Sequence, residues 1–183
     1  AARERFAAEG DLDCGLTLDD GRRYRLNAAR SQGRVTLVAR ALPPGELAFK
    51  DLLLPDAVRG LCEATRGLVL VAGATGSGKS TTLAAMVHHL NTTRPVHIVT
   101  IEDPIEFVHR DIRARLTQRE VGTDTASFAP ALRQVVRQSP DVILIGEMRD
   151  ADSMQVALSA ALTGHLVFAT LHTVDTTQTL QRI

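Results

Sequence analysis

The sequence is poor in cysteine, aromatic residues and long apolar runs. Its two cysteines, Cys14 and Cys62, lie far apart in no metal-binding spacing, so we expect neither a disulfide framework nor a cysteine metal site, and the pattern fits a reducing compartment. Aromatic residues make up 3% of the chain, which leaves few rings for stacking on nucleic-acid bases. No apolar run approaches the roughly 18–20 residues that span a bilayer, and no hydrophobic signal core follows the N-terminus.

An excess of charge of one sign is also missing. The chain carries 21 basic and 21 acidic side chains, for a formal net charge of zero. Domains that bind nucleic acid through its phosphates usually carry a basic excess, so we expect no nucleic-acid partner. Hydrophobic residues make up 44% of the chain, which indicates a folded chain rather than a disordered one.

Lysine is nearly absent, since Lys50 and Lys79 are the only lysines among 21 basic residues. A chain that otherwise uses arginine for positive charge thus retains lysine at position 79, within the glycine-rich motif described below. The compact ammonium of lysine is not readily replaced by a planar guanidinium in such a loop. The sequence predicts no role for Lys50, Cys14 or Cys62.

The first 42 residues predict a small antiparallel sheet. Short alternating segments run from Leu12 to Leu18, from Tyr24 to Asn27 and from Val35 to Val38. Turn signals separate them at Asp19-Asp20-Gly21 and Ser31-Gln32-Gly33, and Asp-Gly is a strong hairpin signal. We interpret residues 1–42 as part of an N-terminal domain, in a chain that we expect to be a fragment because it begins with alanine and ends in a helical pattern.

The remainder of the chain predicts a linker followed by an α/β domain. Pro43-Pro44-Gly45 interrupts regular structure, and we predict a linker over residues 43–59 and a core domain over residues 60–183. In that core, apolar strand-like runs alternate with helical patterns, which is typical of a parallel sheet with right-handed crossovers. The predicted strands are 68–72, 97–101, 142–145 and 166–171, and the predicted helices are 79–90, one behind the N-cap Ser127, and one from about 154 to 162.

A phosphate-binding motif follows the first predicted core strand directly. Residues Gly73–Ser80 match G-x-x-x-x-G-K-[ST] between a strand and a helix, which is the context that the motif requires. In such a loop the backbone N–H groups and the helix N-terminus face the phosphates. Lys79 would contact the β- and γ-phosphates and Ser80 would hold Mg²⁺. The predicted nucleotide ligands in this segment are Gly73, Thr75, Gly76, Ser77, Gly78, Lys79, Ser80 and Thr81.

Acidic and histidine residues follow the other predicted strands. The second strand ends in Glu102-Asp103-Pro104-Ile105-Glu106, the third is followed by Glu147 and the fourth by His172. Because ligands bind beyond the carboxyl ends of parallel strands, we expect these side chains beside the phosphate loop. Glu147 occupies the position of a carboxylate that binds Mg²⁺ or orients water. His165 stands at the opposite end of the fourth strand, so the residues alone do not place it near a nucleotide.

Four motifs together resemble one family. GATGSGKST at 73–81, TIEDPIEF at 100–107, SPDVILIGEMRD at 139–150 and TGHLVFATLHT at 163–173 are similar to the Walker A, Asp box, Walker B and His box segments of type IV pilus retraction ATPases. These enzymes belong to the wider class of bacterial secretion ATPases. The resemblance runs from about residue 10 to the end of the chain.

The resemblance implies a RecA-like P-loop core behind a small PAS-like N-terminal domain. It also implies a hexameric, Mg²⁺-dependent ATPase that drives twitching motility from the cytoplasmic face of the bacterial inner membrane, where it would act on a pilus platform protein. By motif, Ser80 and Glu147 would be linked to the metal. The catalytic residues that it implies are Glu106, Glu147, His165 and His172, and the further nucleotide contacts are Glu102, Asp103 and Arg25.

Other functions remain open at this stage. A pilus assembly ATPase or a type II secretion ATPase would share the same chemistry with the opposite output. Ala74, Ser139 and Leu162 depart from the usual residues of the family, but none of them is a phosphate or metal ligand. A nucleotide-binding module without turnover is a further alternative, against which the intact Glu106, Glu147 and His172 argue.

Overall fold

The N-terminal part of the chain forms an antiparallel three-stranded sheet behind a short helix. The computed structural model describes residues 2–43, 47–173 and 175–182. Its first elements are α1 (Ala2–Glu9), β1 (Asp11–Thr17), β2 (Arg23–Ser31) and β3 (Arg34–Ala41), with the strands in the order β1-β2-β3. Gly21 and Gly33 adopt positive φ in the two turns, which glycine does without steric cost. The antiparallel meander is therefore confirmed, and α1 is an addition to it.

The rest of the chain builds a five-stranded parallel sheet. The strand order is β4-β8-β7-β5-β6, and all four pairings are parallel. This confirms the α/β core. The strands are β4 (Gly67–Ala72), β5 (His97–Glu102), β6 (Arg115–Glu120), β7 (Val142–Ile145) and β8 (Leu166–Leu171).

Two strands differ from the prediction. The sequence of β6, Arg115–Glu120, is almost entirely polar, so it carries no hydrophobic signal and was not predicted. Leu68–Ala72 of β4 was predicted as a strand buried on both faces, but β4 lies at an edge of the sheet and its residues are only partly buried. The continuous apolar run therefore predicted the strand correctly and the extent of its burial wrongly.

Helices cover both faces of the parallel sheet. They are α2 (Phe49–Leu52), α3 (Asp56–Cys62), α4 (Lys79–Thr93), α5 (Phe128–Val135), α6 (Ala151–Leu162) and α7 (Thr176–Arg182). On one face α5 and α6 pack through Leu132, Val135 and Ala157, which are fully buried. On the other face α4 packs through Met86 and Leu90. The apolar spacing that predicted α5 is thus the spacing of its buried side.

The segment predicted as a linker is largely helical in the described residues. Helix α2 and most of α3 fall within 43–59, and Phe49 is buried in the same cluster as α4. The guanidinium of Arg94 donates to the carbonyl of Cys62 at 2.9 Å and holds the end of α3. Much of this stretch is thus helical and packs against the core, while the division of the chain into domains, including the linker, stays a prediction. Pro44 and Gly45 lie outside the described residues.

Candidate nucleotide site

A glycine-rich loop joins β4 to α4 at the carboxyl edge of the parallel sheet. Gly73, Gly76 and Gly78 all have positive φ, at 155°, 80° and 90°. A Cβ atom on Gly73 would come within 2.6 Å of the Ser77 hydroxyl, so this position requires glycine. The loop ends on a helix of 15 residues, whose first N–H groups form an anion-binding terminus.

Lys79 is folded over this loop. Its Nζ donates to the carbonyls of Gly73 and Ala74, each at 2.9 Å, and only 8% of the residue is exposed. Both acceptors are neutral carbonyls of the loop itself. Ser80, in the first turn of α4, is exposed. The loop is thus shaped to receive an anion.

The ends of three neighbouring strands bring together four charged or titratable side chains. Glu147, after β7, accepts from Nε of Arg149 at 2.7 Å and lies 3.3 Å from Nε2 of His172, after β8. Arg149 also lies 3.8 Å from the carboxylate of Asp103, after β5. The structure therefore brings Asp103, Glu147 and His172 to one edge, as the strand ends predicted. Arg149 lies inside the segment 139–150 that resembles Walker B, but it was not among the predicted site residues.

Glu102 turns into the protein beneath the phosphate loop. Its carboxylate accepts from the hydroxyl of Thr100 at 2.7 Å and from the amide of Gln118 at 3.4 Å. Burial raises the pKa of Glu102 to about 7, and these hydrogen bonds partly oppose that shift. Glu102 also lines a cavity of about 30 Å³ together with Ser80 and Thr170. A cavity of that size admits a water molecule.

Arg25, in β2, and Glu106, in the loop after β5, lie where the N-terminal sheet faces the core. Arg25 pairs with Asp13 at 2.6 Å, and this hydrogen bond, helped by the charges of Asp103 and Glu106, raises the pKa of its guanidinium. A cleft of about 760 Å³ lies between the sheet and the core and is lined by Arg25, Asp103 and Arg149. Arg25 is therefore close to the Asp box segment, in which Glu106 is half-buried. The nucleotide contact that the resemblance implies for Arg25 stays a prediction.

His165 is not brought to this site. Its Nδ1 is hydrogen-bonded to the carbonyl of Ala160 at 3.0 Å, and its own carbonyl accepts from Gly67 at 3.0 Å. It precedes β8, whereas His172 follows β8. With about 3.3 Å per residue, the two histidines stand roughly 20 Å apart. The catalytic role that the resemblance implied for His165 has no support in its contacts within the described chain.

The ion pair of Arg23 with Glu120 was missed by the sequence analysis. Glu120 is buried, and it joins β6 to the N-terminal sheet. An acidic residue in a polar segment carries no local sign that its partner lies 97 positions away. The contact depends on tertiary structure alone.

The fold and the site define a P-loop nucleotide-binding protein of the RecA-like class. The family described as "Type II/IV secretion system protein" matches residues 46–183. This chain belongs to that family, which confirms the resemblance drawn from the four motifs. Within residues 2–43, 47–173 and 175–182, no helix is long and apolar enough to cross a membrane.

Curated and solved relatives agree with this assignment. The chain is 48% identical over 173 residues to a Neisseria gonorrhoeae "Twitching motility protein", covering 94% of this chain and 46% of that protein. It is 49% identical over 181 residues to the type IV pilus retraction ATPase PilT of Pseudomonas aeruginosa, covering 99% and 53%. A crystal structure of the pilus retraction motor PilT with bound ADP superposes with a TM-score of 0.94 at 48% identity, covering 99% and 53%. The chain spans about half the length of these relatives.

Proposed function

We propose that this chain is the nucleotide-binding and hydrolysing part of a type IV pilus retraction motor. The observation that carries the proposal is the contact of Glu147 with His172 and Arg149 at the sheet edge that also holds the phosphate loop. A loop that accepts phosphates, beside a carboxylate and a histidine at neighbouring strand ends, has the parts that phosphoryl transfer requires. The relatives named as retraction motors favour this output over pilus assembly or secretion.

Binding of ATP would draw Lys79 away from its two carbonyl partners. The γ-phosphate offers a charged acceptor, and charge-assisted hydrogen bonds are stronger than those to neutral carbonyls. The N–H groups of Gly76, Gly78 and the first turn of α4 would cradle the β-phosphate. The same exchange of partners would fix the loop in its bound form.

Hydrolysis would then use the carboxylates at the strand ends. Glu147 or Glu106 accepts a hydrogen bond from the attacking water and orients it in line with the γ-phosphate. Lys79 neutralises charge that develops on the transferred group. His172, which contacts Glu147 in the present structure, would donate a hydrogen bond to the γ-phosphate. Loss of that phosphate would remove the hydrogen bond and change the contacts at the end of β8.

The residues present fit a Mg²⁺ ion bound with the nucleotide. In nucleotide sites this ion is usually held by one or two protein oxygens together with phosphate oxygens and water. The exposed hydroxyl of Ser80 and the carboxylate of Glu147 are oxygen ligands of this kind. When bound, the ion spreads the charge of the β- and γ-phosphates.

The remaining properties of the motor are proposed from the relatives. The full-length protein would assemble as a homohexamer, act in the cytoplasm at the inner face of the inner membrane and engage a pilus platform protein there. Movement between the N-terminal sheet and the core would convert hydrolysis into pilin removal and twitching motility. His165 would act only through the packing of α6 and β8, since its contacts lie at the far end of the sheet.

Substitution of Glu147 tests this proposal. In the full-length protein, Glu147→Gln should retain ATP binding and lose most of the phosphate release, because the amide cannot act as a base or carry the negative charge. Binding is measured with a fluorescent ATP analogue and turnover by phosphate release. Turnover of Glu147→Gln at the wild-type rate would contradict the assignment of this residue, and a wild-type protein without any turnover would contradict the proposed function.

A further inference from the structure

A buried ion pair lies where the N-terminal sheet meets the core. Glu120 is the last residue of β6 and Arg23 is the first residue of β2. The exposed fractions of the two side chains are 6% and 18%, so the pair is largely removed from water. A buried pair is tolerated only when further hydrogen bonds satisfy its charges.

The carboxylate of Glu120 receives donors from both units of the chain. Its Oε2 accepts from the guanidinium of Arg23 and from the backbone N–H of Ile105 at 3.1 Å. Its Oε1 accepts from the backbone N–H of Gly15 in β1 at 3.2 Å and from the hydroxyl of Thr123 at 3.3 Å. The single carboxylate thus joins β1, β2 and the loop that follows β5.

Arg23 closes the same network on that loop. Its Nε donates to the carbonyl of Ile105 at 3.0 Å, so the ion pair binds both backbone polar groups of Ile105. The side chain of Ile105 is also buried, and the next residue is Glu106. The backbone position of Glu106 is therefore tied on its N-terminal side to a network that includes the N-terminal sheet.

We infer that Glu120 and Arg23 are positioning residues that tie the placement of the Glu106 carboxylate to the position of the N-terminal sheet. This inference rests on the proposed hydrolysis at the site and deepens it. When the sheet moves against the core, the backbone of Ile105 either follows it or loses two hydrogen bonds. In the first case Glu106 moves with the sheet, and in the second the backbone that carries it is no longer held. A displacement of about 1 Å in a reacting group can lower a rate by about a hundredfold.

A kinetic experiment separates positioning from binding. In the full-length protein, Glu120→Gln should lower kcat for ATP hydrolysis by roughly ten- to a hundredfold. The KM for ATP should change much less than kcat, by less than about twofold, because the phosphate loop follows β4, at the opposite edge of the sheet from β6. The matched control is Asp20→Asn, which breaks an exposed ion pair with Arg22 in the turn between β1 and β2 and should leave both constants unchanged.

Hydrogen–deuterium exchange provides a readout that does not need turnover. In Glu120→Gln, the peptide covering residues 103–108 should exchange roughly tenfold faster, because the N–H of Ile105 loses a charged acceptor. The peptide covering 142–145 in β7 should exchange as in the wild type. Faster exchange throughout the chain would indicate general unfolding of Glu120→Gln. In that case the same two peptides are compared in Arg23→Lys, which keeps both charges of the ion pair but loses the planar guanidinium.

The outcomes distinguish this inference from the proposed function. An unchanged kcat in Glu120→Gln, or unchanged exchange at residues 103–108 in a folded variant, overturns the inference while the ATPase assignment stands. A wild-type protein that does not hydrolyse ATP overturns the proposed function, and the exchange experiment alone then decides whether the pair holds the loop.

Discussion

The two sheets of this chain differ in how they exclude water. In the parallel sheet, every residue of β7 and β8 is buried. In the antiparallel sheet, every residue of β3 is exposed, including Leu37 at 62%. The parallel sheet has helices on both faces. The antiparallel sheet buries only a few of its residues, among them Leu12 and Ala28.

The two parts of the chain also differ in what holds them in place. The core derives its stability from buried apolar surface, which is the dominant favourable contribution in folding. The N-terminal sheet is joined to it by a few polar contacts, among them those of Glu120 and the bond from Arg5 to the carbonyl of Gly122 at 2.7 Å. Such polar interfaces usually permit relative motion of the joined parts, as the proposed function needs.

The largest expected effect concerns the chemistry of the core. Lys79→Ala in the full-length protein should abolish detectable ATP hydrolysis, with a loss of at least about a hundredfold, because a preorganised charge at the phosphates is removed. Phosphate release measures it. Lys50→Ala is the matched control, since Lys50 is an exposed lysine on α2, and it should hydrolyse ATP normally. An equal loss of ATP hydrolysis in the two variants would contradict a specific role of Lys79 in the phosphate loop.

The second effect compares the stability of the two sheets. Phe168→Ala should lower the free energy of unfolding by about 3–5 kcal/mol, because it leaves a large cavity in a fully buried strand. Leu37→Ala should change it by less than about 0.5 kcal/mol, as surface substitutions usually do. Urea titration followed by circular dichroism measures both. A comparable loss in Leu37→Ala would mean that β3 is covered in the assembled protein.

A third, smaller effect follows from the buried carboxyl of Glu102. Because its pKa of about 7 in the folded chain lies above the ordinary value of 4.5, the folded state binds this proton more tightly than the unfolded state. The group therefore costs stability above pH 7, and this cost disappears as the pH falls towards 4.5. Glu102→Gln should be more stable than the wild type by about 1–2 kcal/mol at pH 8.

The pH dependence provides the control for that variant. The advantage of Glu102→Gln should shrink between pH 7 and pH 5, because the wild-type carboxyl becomes protonated in that range. Urea titrations at pH 5, 6, 7 and 8 measure the difference. An advantage that stays constant with pH would show that Glu102 carries its ordinary pKa in the folded chain.

The sequence predicted the elements whose signal is local. Apolar runs placed β5, β7 and β8, and the glycine spacing of the phosphate loop placed Lys79 and Ser80. The polar strand β6 was missed, because its stability comes from its pairing with β5 rather than from its own hydrophobicity. The same reason explains why the role of Glu120 could not be predicted, since its four donors come from four separate segments. Prediction from the sequence thus succeeded where the signal lies within one segment, and it failed where residues from several segments form the contact.

The smallest effect tests this limit at two helix starts. Ser127 occupies the N-cap position of α5 as predicted, but its side chain makes no capping hydrogen bond. Asp150 caps α6, where it accepts from the N–H of Ser153 at 2.7 Å and from its hydroxyl at 2.9 Å. Asp150→Ala should therefore lower the free energy of unfolding by about 1 kcal/mol, whereas Ser127→Ala should change it by less than about 0.5 kcal/mol.

The two variants show whether residue type or hydrogen-bond geometry determines how much an N-cap residue stabilises its helix. Serine and aspartate are equally favoured at N-caps, so residue type alone predicts similar losses in the two variants. The structure predicts different losses, because only the Asp150 carboxylate is aligned with the free N–H groups of its helix. Urea titration of both variants under the same conditions measures the difference. Equal losses would mean that Ser127 forms its capping bond in solution, and the start of α5 would then be encoded as locally as the phosphate loop.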